Sequence, residues 1–207
     1  MAYEHACFIS YKRPPKRAAQ PAALSAKAPG KHLWLEFAEA FQIRLDKYLT
    51  THVGSYRDEA LQPGTDYTTD LANNLCKSMC MVALVVPEYF ESKWCTAKWS
   101  AMEDFEKVRL GPGKHGLIFP IICTGDPELL KPRFGPRKEV DLREIVSPSR
   151  QLSSIRSLTK IQSVANQINA LAKTLPAPDM DCDKYSLLIG PDTIKQPQID
   201  EPSPFRR

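Results

Sequence analysis

The run Met81-Val82-Ala83-Leu84-Val85-Val86 limits what this chain can fold into more than any other stretch. It is unbroken, apolar and rich in β-branched residues, and Pro87 ends it. Side chains on a strand alternate between two faces, so continuous apolarity means that both faces are covered. That is the pattern of a parallel sheet with helices on either side. The rest of the chain supplies matching parts. Ala6 to Ser10 reads as a short buried first strand, Val53 to Tyr56 as a short second one, and Leu117 to Ile122 as a fourth. Pro120 inside the fourth, having no amide hydrogen, argues for an edge or a bulge there. Residues 123–150 are rich in proline and charge, with at most a short edge strand near Val140-Asp141-Leu142.

Between these runs the apolar period changes to that of a helix. Leu33, Phe37, Ala40, Phe41, Leu45 and Tyr48 recur at steps of three and four, one face of an amphipathic helix. Thr68 to Met79 repeats the pattern through Leu71, Leu75 and Met79. A helix from about Lys93 to Val108 is broken by Gly111-Pro112-Gly113, and Ser92 is placed to cap its start. The last helix, through Ile155, Leu158, Ile161, Val164, Ala165, Ile168, Leu171 and Leu175, is the most regular. Alternating strands and helices predict a three-layer α/β domain with right-handed crossovers.

At 207 residues, 43% of them apolar, the chain suits one domain with appendages. The expected division is a domain over residues 1–175 and a tail over 176–207, which holds six of the 18 prolines and is expected to be extended or disordered in isolation. Tyr185 to Ile189 is a candidate docking segment within it. No apolar run approaches the ~18 residues that span a bilayer, and the polar start is unlike a signal peptide, so the expectation is a cytoplasmic protein without membrane contact. Six cysteines, at 7, 76, 80, 95, 123 and 182, form no Cys-x-x-Cys pair, and the four histidines stand in no ligand spacing. Thiols in a reducing compartment, with no metal site, are expected. Net charge is only +4, but residues 12–31 carry Lys12, Arg13, Lys16, Arg17, Lys27 and Lys31 without one acid. This reads as a long basic loop. A phosphate, nucleic acid or acidic partner is conceivable there, but no aromatic is interleaved for base stacking, and a solvated loop is the preferred reading.

In open α/β sheets, ligands sit beyond the carboxyl ends of the strands. Three segments converge there: Ser10-Tyr11 after the first strand, Tyr56-Arg57 and the residues following them, and Tyr89 to Lys98 after the third strand. Trp94 and Lys98 are four apart and share a helix face. Gln62-Pro63-Gly64-Thr65-Asp66-Tyr67 is a turn-forming, polar segment suited to an exposed loop. No glycine-rich phosphate loop follows the first strand, so the usual nucleotide-binding motifs are absent.

Phe8-Ile9-Ser10-Tyr11, Arg57-Asp58-Glu59-Ala60-Leu61-Gln62-Pro63-Gly64 and Ser92-Lys93-Trp94-Cys95-Thr96-Ala97-Lys98-Trp99 occur in the order of the three sequence boxes of the Toll/interleukin receptor (TIR) family. Over roughly residues 4–175 the chain resembles that family, and short prokaryotic stand-alone members most closely. The resemblance implies a flavodoxin-like sheet of order 2-1-3-4-5 and a role in immune or antiviral signalling. It also implies self-assembly, in which the 62–67 loop of one copy contacts its neighbour, builds a homo-oligomer or filament and completes a pocket for NAD⁺. Substrate-binding positions would be Ser10, Tyr11, Tyr56, Arg57 and Trp94. Enzymatic members carry a glutamate where this chain has Lys98. A carboxylate there stabilises the oxocarbenium character that develops as the bond from ribose to nicotinamide breaks, and an ammonium opposes it. Glu103 is about 140° further round the helix and Glu106 two turns on, so neither replaces it, while Glu88 and Glu91 precede the helix. The chain as written is therefore expected to have little NAD⁺-cleaving activity. Lys98 is equally readable as native, in a scaffold or ligand sensor, or as an engineered charge reversal. The alternative from a different class is a non-enzymatic adaptor that binds a separate effector through its assembly surfaces or tail; a phosphate- or nucleic-acid-binding protein ranks below both.

Overall fold

A computed structural model of the chain describes residues 3–13, 33–57, 67–144, 154–177 and 182. The elements run β1 (His5–Tyr11), α1 (Leu33–Tyr48), β2 (Tyr56–Arg57), α2 (Tyr67–Cys76), β3 (Ser78–Val85), α3 (Lys93–Leu110), β4 (Ile118–Ile122), α4 (Pro127–Leu130), β5 (Val140–Asp141) and α5 (Ile155–Thr174). The five strands form one sheet, all parallel, in the order β2-β1-β3-β4-β5. This is the expected flavodoxin-like arrangement. Passing from β1 to β2 moves one way across the sheet, and passing from β2 to β3 to β4 moves the other way. Right-handed crossovers then put α1 on one face and α2 and α3 on the opposite one. The packing agrees: α1 lies against α5, and α2 against α3.

β3 is the centre of the core. All eight of its residues are buried, as the apolar run requires, and each large aliphatic side chain so enclosed is worth ~1.5–3 kcal/mol. β1 pairs with β3 from His5↔Ser78 to Tyr11↔Leu84, which puts Phe8, Ser10, Met81 and Ala83 on one face and Ile9, Tyr11, Val82 and Leu84 on the other.

The structure moves several expected boundaries. Met79, expected to end a helix, lies in β3: α2 stops at Cys76 and the chain turns at Lys77, whose amide still bonds to the Asn73 carbonyl. A buried methionine fits either period, so the apolar pattern alone could not place the break. The second strand keeps only Tyr56 of the expected Val53–Tyr56 and adds Arg57. Pro120 lies in an interior strand, opposite Ala83, just before the two residues that β5 pairs with, so β4 is edge-like from Ile118 to Pro120. Residues 123–144 are more ordered than their composition suggests: Asp126 caps α4, and a 3-10 turn follows over Lys131–Phe134.

The cysteines bring the clearest correction. Cys76 and Cys182 form a disulfide, with their Cα atoms 5.7 Å apart, while Cys7, Cys80, Cys95 and Cys123 are free and buried. Spacing could not reveal the pair, because 106 residues separate its members and only the fold brings them together. Among the described residues no helix is long and apolar enough to cross a membrane, and no cluster of His, Cys, Asp and Glu could hold a metal ion. The basic loop beyond Arg13, the segment Gln62 to Asp66 and the Tyr185–Ile189 segment lie outside the described residues.

Candidate functional site at the carboxyl ends of the strands

α3 starts where β3 ends, after a 3-10 turn over Pro87–Tyr89. Ser92 caps it as expected: the Cys95 amide donates to the Ser92 Oγ at 3.4 Å. This cap fixes the first two turns of α3 against the end of β1. The Cys95 thiol reaches the carbonyl of Tyr11 at 3.6 Å, and Ser10 Oγ lies 2.6 Å from the hydroxyl of Tyr89. Both members of that hydroxyl pair are fully buried. Burial pushes the Tyr89 phenol well up, with the neighbouring Cys95 adding to it and the Ser10 hydrogen bond opposing it.

Lys98 sits one turn beyond Trp94 and is only 2% exposed. Its Nζ lies 5.8 Å from the centre of the Phe8 ring, a cation–π contact beneath the helix. Trp94 is half-buried on the same face. Tyr56 extends the face from β2, its ring 5.5 Å from that of Phe8 and 4.8 Å from the imidazole of His5. Tyr56 and Lys98 therefore both meet Phe8, Ser10 lies on the same face of β1, and Trp94 shares the α3 face of Lys98.

The structure does not bring Arg57 and Tyr11 to the same face. Tyr56 pairs with Phe8 and Arg57 with Ile9, so Arg57 projects to the side of the sheet covered by α1. There its guanidinium donates to the Leu35 carbonyl at 3.4 Å. Tyr11 shares the parity of Ile9, and its backbone carbonyl is what meets the α3 side. Of the expected loop residues, Gln62, Pro63, Gly64, Thr65 and Asp66 lie outside the described residues, and Tyr67 opens α2.

Tyr89 is the site residue that sequence reading left without a role. Its signal was available: a tyrosine two residues after the proline that ends β3 sits within reach of the carboxyl end of β1. The acids that could stand in for a missing glutamate are committed elsewhere or face solvent. Glu103 accepts from the Trp99 indole at 3.0 Å and pairs with Arg137 at 3.1 Å. Glu106 accepts from the amides of Gly116 and Leu117 at 2.9 and 2.8 Å and pairs with Arg137. Glu88 and Glu91 are exposed. Burial alone would push the Glu106 carboxyl up, but Arg137 and the two amides hold it below its ordinary value. A groove of about 410 Å³ lies at the other end of the sheet, between α5 and residues including His115 and Arg137, and none of the expected site residues lines it.

A five-stranded parallel sheet of this order, with hydroxyl, aromatic and ammonium groups gathered where β1 meets the start of α3, defines a signalling α/β module of one family. The family model for the TIR domain matches residues 7–158, and the chain belongs to that family. No curated protein matches the chain.

Proposed function

We propose that this TIR protein signals by self-association and that its pocket at the carboxyl ends of the strands recognises NAD⁺ without cleaving it efficiently. The observation that carries the reading is the burial of Lys98. Its ammonium is enclosed over Phe8 at the position where enzymatic relatives, by the resemblance of the Trp94-Cys95 motif, carry glutamate. A lysine on the surface would be a neutral replacement. A buried one is fixed in the wall of the site, where an ammonium in place of a carboxylate gives a developing oxocarbenium ion no stabilisation. Lysine also has no acceptor for a ribose hydroxyl. Tyr56 and Trp94, both partly exposed, supply aromatic contacts that suit a nucleotide's ring, on a face backed by the buried Ser10–Tyr89 pair. Assembly through TIR–TIR contacts would complete the pocket from a neighbouring copy, in a role in immune or antiviral defence.

The test is nicotinamide release under assembling conditions by the chain and by its Lys98→Glu and Lys98→Ala variants, with assembly followed by light scattering. Loss of one electrostatic stabiliser costs ~10²–10³ in rate, so Lys98→Glu is expected to gain at least that over the parent. Brisk turnover by the parent that persists in Lys98→Ala would overturn the proposal. The same burial favours a second reading, a non-enzymatic adaptor for a separate effector. No turnover by any of the three chains, together with normal assembly and no NAD⁺ binding, would select it.

A further inference from the structure

Independently of how Lys98 is read, we infer that the Cys76–Cys182 pair is a reversible redox site that fastens the chain beyond α5 to the end of α2. The two ends of this clasp differ in burial. Cys76 is fully buried at the last residue of α2, an end knitted into the sheet. The amides of Glu4 and His5 donate to the Lys77 carbonyl at 3.0 and 3.3 Å, Lys77 pairs with Glu4 at 3.0 Å, and Arg109 donates to the Cys76 carbonyl. Cys182 is half-buried and packs against the core from a stretch that follows α5 by only a few residues. α5 packs with α1 and α2 packs with α3, on opposite faces. The disulfide therefore carries the chain from one face to the other, at the sheet end opposite the candidate site.

This asymmetry sets the chemistry. An incoming thiolate from a dithiol reductant attacks the sulfur of the half-buried Cys182 rather than that of the fully buried Cys76. It forms a mixed disulfide there and breaks the Sγ–Sγ bond, and Cys76 departs as a thiolate that takes up a proton. The second thiol of the reductant then displaces Cys182, so the reductant closes its own disulfide and two thiols remain on the protein. Two electrons and two protons are transferred. The other four cysteines do not compete, since all are buried; the Cys80 hydrogen bond together with burial pushes the Cys7 thiol well up, and burial does the same to Cys123. In reducing compartments such lone pairs are typically redox-sensing rather than structural. The function inferred is release: oxidised, Cys182 is held at the end of α2; reduced, that tie is gone.

The experiment uses the full chain purified without reductant, then treated or not with dithiothreitol under native conditions. Non-reducing peptide mapping is expected to find Cys76 linked to Cys182. After native reduction, iodoacetamide should label Cys182 and leave Cys7, Cys80, Cys95 and Cys123 unlabelled. Thermolysin cleavage between Leu175 and Cys182 should then accelerate several-fold. Cys182→Ser should cleave at the fast rate with or without dithiothreitol while keeping the circular dichroism of the parent. Iodoacetamide labelling of Cys182 in the untreated chain, a link that native dithiothreitol cannot break, or equal cleavage rates in both states would each overturn the inference.

Discussion

Ser10 and Tyr89 share a single hydrogen bond in a place with no water, which makes the two hydroxyls interdependent. Replacing one strands the other, at ~1–3 kcal/mol for an unsatisfied buried group, whereas replacing both removes the need. Urea unfolding of Tyr89→Phe is expected to show that loss, and Ser10→Ala combined with Tyr89→Phe to lose less than the sum of the single variants. Additive losses would mean that the two groups find other partners. At this scale the sequence was legible where chain parity is fixed by a strand and opaque elsewhere. Ser10 and Lys98 could be placed because strand and helix periods orient their side chains. Arg57 could not, because its direction depends on which residue of β1 it faces, and that register is set by the whole sheet.

α3 does two jobs at its two ends. Its first turns, capped by Ser92, hold Trp94 and Lys98 against β1. Its later turns anchor the loop before β4: Glu106 binds the amides of Gly116 and Leu117, and Arg137 from beyond α4 bridges Glu106 and Glu103 while lying 5.6 Å from the Trp99 ring. The Glu106 carboxyl is held below its ordinary value, so the unfolded chain takes up its proton first. The stability it contributes is thus fully present above the ordinary carboxylate range and is lost as pH falls below ~4. A denaturation midpoint that falls with acidification between about pH 5 and 3 is expected, with a shallower fall in Glu106→Gln. That variant should also be ~3–5 kcal/mol less stable at neutral pH, because a buried guanidinium loses a partner. An unchanged acid profile would show that other carboxylates carry the pH dependence. Helix geometry was enough to exclude Glu103 and Glu106 from the pocket. It could not show what they do instead, since Arg137 reaches them from more than thirty residues away in the chain.

For the whole molecule, one apolar run and the alternation around it were sufficient to give a parallel sheet between layers of helices, whereas the strand order came from the resemblance of the three motifs to the TIR family. The disulfide was illegible because it joins elements that meet only once the sheet has formed. Closing a loop of 106 residues should be worth ~4–5 kcal/mol in the chain-entropy account. Thermal unfolding of Cys182→Ser is expected at a midpoint several degrees below that of the oxidised parent and unmoved by dithiothreitol. An equal midpoint would show that the link does not constrain the unfolded chain. The sheet itself has a further consequence at its borders. β2 and β5, the outer strands, each offer just two paired residues, Tyr56-Arg57 and Val140-Asp141. Outer strands this short, among the described residues, offer little backbone of their own to template another strand. Copies that associate as proposed would then join through helices and loops rather than through strands.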